Sequence, residues 1–138
     1  MLYSRMTEHA IAALGEIARE ESTGFLSTGS VASRTSIPRP ILTKVIASLA
    51  REGLVKTREG RHGGARLARP PEEISIRDVV AVFDEPELLQ RCPIHGTGCS
   101  CADEAPCQLH DLWQNVRTAA DRFLDEATIA DVATALRR

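Results

Sequence analysis

Between Arg91 and His110 the chain reads RCPIHGTGCSCADEAPCQLH. This window holds every cysteine of the protein, Cys92, Cys99, Cys101 and Cys107, together with His95 and His110. Thiolate is a soft, electron-rich donor that suits both zinc and iron–sulfide clusters. The spacing is Cys92-x6-Cys99-x-Cys101-x5-Cys107-x2-His110. Zinc sites usually pair their thiols as CxxC knuckles, and no such pair occurs here, which favours an iron–sulfur cluster over zinc. A metal-free thiol switch, or two disulfides packed into one loop, are the other chemistries these residues support. The window is rich in Gly and Pro, so it reads as a loop with little apolar material to order itself. A bound metal centre would supply that order.

Reduced thiols persist in reducing compartments, where clustered cysteines serve metals or redox chemistry more often than disulfides. The start, MLYSRMTEHA, lacks the apolar core of a signal peptide. No stretch approaches the roughly 18 apolar residues of a membrane span. The expectation is a cytoplasmic protein with no membrane partner. Its 138 residues suit one domain with an appended arm. Residues 1–70 carry 11 Lys/Arg against 6 Asp/Glu, a net of +5, and residues 71–138 carry 6 against 13, a net of −7, so the overall −2 conceals an asymmetry. A basic first half suits a polyanion. An enzyme is disfavoured, because no nucleotide-binding Gly motif follows a strand and no domain is large enough to hold a substrate.

The elements that must carry the loop follow in order. Residues 4–20 form a first helix, capped by Ser4 or Thr7, with Ala10, Ile11, Leu14, Ile17 and Ala18 at helical spacing. Ser27 or Thr28 caps a short second helix carrying Val31 and Ala32, which Thr35-Ser36-Ile37-Pro38 ends. A third helix begins near Pro40, presents Ile41, Leu42, Val45, Ile46 and Leu49 inward and stops at Gly53. Leu54–Thr57 and Ala65–Leu67 read as strands around a Gly-rich turn, Glu59–Gly64. A hairpin directly after a helix-turn-helix is a wing. Its tip, flanked by Arg58, Arg61 and Arg66, can approach a phosphate backbone. Ser75 with Asp78 opens a short helix over Ile76–Phe83. After the loop, Leu109, Leu112, Val116, Ala119 and Phe123 recur at alternating steps of three and four, a seam suited to a partner helix. Residues 128–136 make a last helix, capped by Thr128. The fold class is mostly α with a small β-hairpin: a winged helix-turn-helix domain over 1–84, a cysteine-rich cluster-binding loop over 85–108, and a dimerisation helix with a C-terminal helix over 109–138.

In this order the segments resemble the Rrf2 family of bacterial winged-helix regulators. The marks are Tyr3–Ala10, the helix Ile37–Gly53 leading into Leu54-Val55, Gly60 with Gly63-Gly64, Ile76–Val80, the cysteine loop, and the closing Phe123-Leu124 with Thr128–Val132. The resemblance covers nearly the whole chain. It implies a homodimer that binds a double-stranded DNA operator through helix 39–52 and the wing, under control of an iron–sulfur cluster, 2Fe–2S or 4Fe–4S. By position Arg39, Thr43 and Lys44 match the start of the recognition helix, with Arg58, Gly60 and Arg61 on the wing. The family often has arginine directly before the first wing glycine, whereas this chain has Glu59. Cys92 and Cys107 form the outer ligand pair. Cys99 is the favoured middle ligand and Cys101 its substitute. With one thiol left over, either all four cysteines ligate or one is a spare redox-active thiol; the resemblance otherwise offers as fourth ligand His110, or Glu8 reaching across from the first helix of the opposite subunit. The signal sensed is then redox state, nitric oxide or iron status.

Overall fold

In the computed structural model residues 2–20, 24–85, 91–96 and 107–137 are described. Ser4 accepts the Thr7 N–H and opens α1 (Arg5–Arg19), whose buried side includes Ala10, Ala13, Leu14, Ile17 and Ala18. Ser27 caps α2 (Thr28–Thr35) in the same way through the Ser30 N–H. Pro38 precedes α3 (Arg39–Arg51), which puts Leu42, Val45, Ile46 and Leu49 in the core. Gly53, at φ +78°, ends α3: its N–H bonds the Ala50 carbonyl, and Leu54 N–H bonds that of Leu49 at 2.9 Å. Leu54 is thereby used by the helix exit, so β1 runs over Val55–Arg58, one residue later than the sequence pattern places it.

β1 pairs antiparallel with β2 (Gly64–Leu67), matching Val55 with Leu67 and Arg58 with Gly64. Leu26 adds a single bridge rung on the other edge of β2 by exchanging two 2.9 Å backbone hydrogen bonds with Ala65, which ties the segment before α2 to the wing. Gly64 is required there. Its φ is +142°, and a Cβ would lie 2.1 Å from the Leu26 carbonyl oxygen.

A 3-10 turn at Pro71–Glu73 leads to α4 (Ile76–Phe83), opened by the Ser75–Asp78 capping box that the sequence predicts. Beyond the loop come α5 (His110–Glu126) and α6 (Ile129–Leu136), the latter with its own capping box between Thr128 and Asp131. The last helix returns to the first. A Cβ on Gly15 of α1 would meet Val132 Cγ1 at 2.7 Å and Leu136 Cδ1 at 2.8 Å. Ile76 and Ile129, each under 3 % exposed, join Leu14, Leu42, Leu49 and Leu124 in one core cluster. Among the described residues no helix is long and apolar enough to cross a membrane. The architecture is the winged helix-turn-helix with a long additional helix that the sequence leads one to expect.

Candidate nucleic-acid interface and cysteine segment

Because α3 buries Leu42, Val45, Ile46 and Leu49, helical periodicity turns Arg39, Thr43 and Lys44 to solvent, and all three are exposed. A groove of about 510 Å³ lies between this face, the wing and the first turn of α2. It gathers four of the residues singled out in the sequence, Arg39, Thr43, Arg58 and Gly60. Lys44 and Arg61 are exposed beyond its lining. Arg39 reaches toward α2, since a Cβ on Gly29 would stand 3.0 Å from its Nη2. Thr43 Oγ1 donates to the Arg39 carbonyl at 2.9 Å, leaving its lone pairs outward. Arg58 Nη2 donates to the His62 carbonyl across the turn at 2.8 Å. Glu59 lines the same groove, so the departure at the wing places a carboxylate where the basic residues converge. Cations and hydroxyls beside an exposed helix N-terminus and a glycine turn can receive phosphates and base edges.

The helices on either side of the cysteine segment are tied down by links that the sequence does not announce. Asp84, just past α4, accepts the Ser4 N–H at 3.0 Å and the Thr7 hydroxyl at 2.6 Å. Thr7 is fully buried, and Glu8 beside it is exposed at the first turn of α1. Burial works to raise the pKa of Asp84, but the hydrogen bonds from Thr7 and Ser4 outweigh it and hold the carboxyl below its ordinary range. A carboxylate with a depressed folded-state pKa contributes stability at neutral pH that is lost as pH falls through that value. Asp84→Ala leaves the buried Thr7 hydroxyl without its acceptor. The variant is expected to lose about 1–3 kcal/mol at pH 7. The gap to the parent protein should shrink as pH is taken below the ordinary value of 3.8. Thermal unfolding of both proteins across pH checks this, and equal stability at pH 7 would refute it. On the other side, Arg77 of α4 bonds Asp121 Oδ1 of α5 at 3.0 Å and also pairs with Asp125.

Within the segment, Cys92 and Gly96 exchange backbone hydrogen bonds of 3.2 and 2.9 Å around Pro93-Ile94-His95, with Gly96 at φ +60°. The His95 N–H points at Cys92 Sγ from 3.5 Å. An N–H directed at sulfur stabilises thiolate and is among the contacts that tune cluster potentials. Cys107 is half-buried just before α5, and its carbonyl accepts the His110 N–H at 2.9 Å. His110 is the first residue of α5 and is half-buried, whereas His95 and His62 are exposed. Cys99 and Cys101 lie outside the described residues. Among the described residues no three His, Cys, Asp or Glu side chains form a metal-holding group. Cys92, with a donor aimed at its sulfur, and Cys107, at the head of a helix, fit thiolate ligation of an iron–sulfur cluster.

α5 has two apolar sides. Ala120 and Leu124 face the chain's own core, whereas Leu112 is 63 % and Val116 52 % exposed, and Leu109 and Phe123 are exposed with them. Trp113 Nε1 is buried without a hydrogen-bond partner.

Comparison with known proteins matches residues 3–135 to the family described as "Rrf2: Iron-dependent Transcriptional regulator". The chain is 33 % identical over 134 residues to the HTH-type transcriptional regulator NsrR of Halalkalibacterium halodurans, covering 97 % of this chain and 91 % of that one. Its fold is similar to CymR (YrzC), the global cysteine regulator of B. subtilis, with a TM-score of 0.78 and 26 % identity over 96 % of this chain and 95 % of that one. It is also similar to T. potens IscR, with a TM-score of 0.72 and 26 % identity over 96 % and 85 % of the two chains.

Proposed function

The chain belongs to the Rrf2 family of transcriptional regulators, and from that premise we propose that it binds operator DNA as a homodimer under the control of an iron–sulfur cluster. The observation that carries the DNA-binding half is the groove in which Arg39 and Thr43 of α3 meet Arg58 and Gly60 of the wing. In this reading α3 enters the major groove, where Arg39, Thr43 and Lys44 donate to bases or phosphates. Arg58 and Arg61 hold the backbone beside it while Gly60 allows close approach. The work is that of a cytoplasmic protein.

Cys92 and Cys107 would hold the cluster with Cys99, or with Cys101 in its place. The remaining position falls to His110 or to Glu8 from the opposite subunit. When bound, the cluster supplies a redox- and ligand-sensitive centre of the 2Fe–2S or 4Fe–4S type. An oxygen or nitrogen donor in one position is more easily displaced than thiolate, which suits sensing of redox state, nitric oxide or iron supply. The protein's part is mechanical. Asp84 ties the end of α4 to α1, and Arg77 ties α4 to α5. Ordering the segment between these anchors would set the spacing of the two α3 helices, which must meet half-sites roughly 34 Å apart.

A spectrum of the anaerobically purified protein, with iron, sulfide and zinc assays on the same sample, tests this. Broad visible absorbance with matching iron and sulfide supports the cluster. The second reading is a winged-helix regulator whose cysteines form a zinc site or a metal-free thiol switch. It draws on the likeness in fold to a regulator named for cysteine. Zinc without sulfide, or no metal with oxidant-dependent DNA affinity, would select it.

A further inference from the structure

Phe25 lies in the segment that joins α1 to α2, outside both α3 and the wing. The Leu26–Ala65 rung sets it opposite Arg66 on β2. The Arg66 guanidinium carbon is 5.1 Å from the centroid of the Phe25 ring, and that of Arg58 is 4.4 Å from it. Both are within the range at which a guanidinium is attracted to an aromatic face. Two like charges on adjacent strands of a hairpin with four-residue strands otherwise repel each other and sweep many rotamers. The shared ring offsets that repulsion, and the bond from Arg58 to the His62 carbonyl limits its freedom further. Leu26 is 7 % exposed and Ala65 is fully buried, so the rung that aims Phe25 is anchored in the core.

We propose that Phe25 is the positioning residue of the wing: it stacks with Arg58 and Arg66 and so presents the pair, preorganised, to the phosphate backbone. The role rests on the reading of the wing as a DNA contact. It also gives a physical account of how this chain accommodates Glu59. Phe25 gathers the cationic pair on one platform, so the wing's positive charge is aimed without an arginine at position 59.

Phe25→Leu keeps an apolar side chain but removes the ring. Its affinity for a duplex carrying the protein's selected binding site is expected to fall about 5- to 30-fold, the sum of two exposed cation–π contacts. The slope of log affinity against log salt should fall by up to about 2, because each phosphate contact contributes close to one. Phe25→Tyr and Phe25→Trp keep the ring and should bind as the parent protein does. The stacking itself is read in the free parent protein, without any variant. The Nε–H resonances of Arg58 and Arg66 should be shifted by the ring current, and unshifted resonances would overturn the proposal. Weakened binding by the double variant Arg58→Ala/Arg66→Ala with no effect of Phe25→Leu would overturn the role of Phe25 alone. Unchanged binding by the double variant would overturn the wing reading beneath it.

Discussion

Cys107→Ser protein purified without oxygen is expected to be colourless, with iron and sulfide at background, where the parent protein is expected to be brown. Cys107 is an outer ligand in the proposed set, and it lies half-buried just before α5. A serine hydroxyl in its place is a hard, poorly ionised donor that matches iron–sulfide badly. Cys92→Ser should behave alike, because its turn presents one sulfur and one N–H aimed at it. The same assay on Cys99→Ser and Cys101→Ser assigns the middle ligand as the one whose loss bleaches the protein. DNA affinity should shift with the cluster by roughly 5–150-fold, the range of an ordinary coupling between two sites. A brown Cys107→Ser protein with full iron and sulfide would sink the ligand assignment. Equal operator affinity with and without the cluster would sink the regulatory mechanism.

Leu112→Glu combined with Val116→Glu should leave a folded monomer that has lost roughly a hundredfold or more of its operator affinity. Both side chains are more than half exposed, so charging them costs the monomer little. Leu109 and Phe123 are exposed along the same seam, while Ala120 and Leu124 on the other side of α5 pack into the core. An apolar stripe of this kind on a helix already docked through its opposite side is what a second copy would cover. Two recognition helices acting on one duplex gain through effective concentration about 10²–10⁴ in affinity, and a monomer forfeits that gain. Sedimentation equilibrium gives the mass and titration of a selected duplex gives the affinity. A double variant that remains dimeric would place the interface elsewhere.

The residues with the largest consequences split into two kinds. Helical periodicity and caps made α1, α3, α4 and α6 legible, because Ser4, Ser75 with Asp78 and Thr128 act on neighbours three residues away. Gly53 and the Gly60–Gly64 turn made the wing legible for the same reason: a left-handed backbone is a local demand. The cysteine spacing drew attention to the segment, because all four thiols fall in one short stretch of sequence. The link from Asp84 to Thr7 spans 77 positions and has no periodic signature. Phe25 carried no signal either. An isolated aromatic in a connector becomes meaningful only when the Leu26–Ala65 rung brings it beside two arginines from the hairpin.

The sequence by itself therefore determined the element order, the helix ends, the wing and the identity of the thiols, all of which arise from interactions within a few residues. Tertiary structure alone decided that α6 closes on α1 at Gly15, that α5 is apolar on both sides, that Asp84 ties the end of α4 to α1, and that Phe25 orders the wing arginines. Those contacts join residues distant along the chain, and burial of the shared core, rather than local propensity, selects which of them meet.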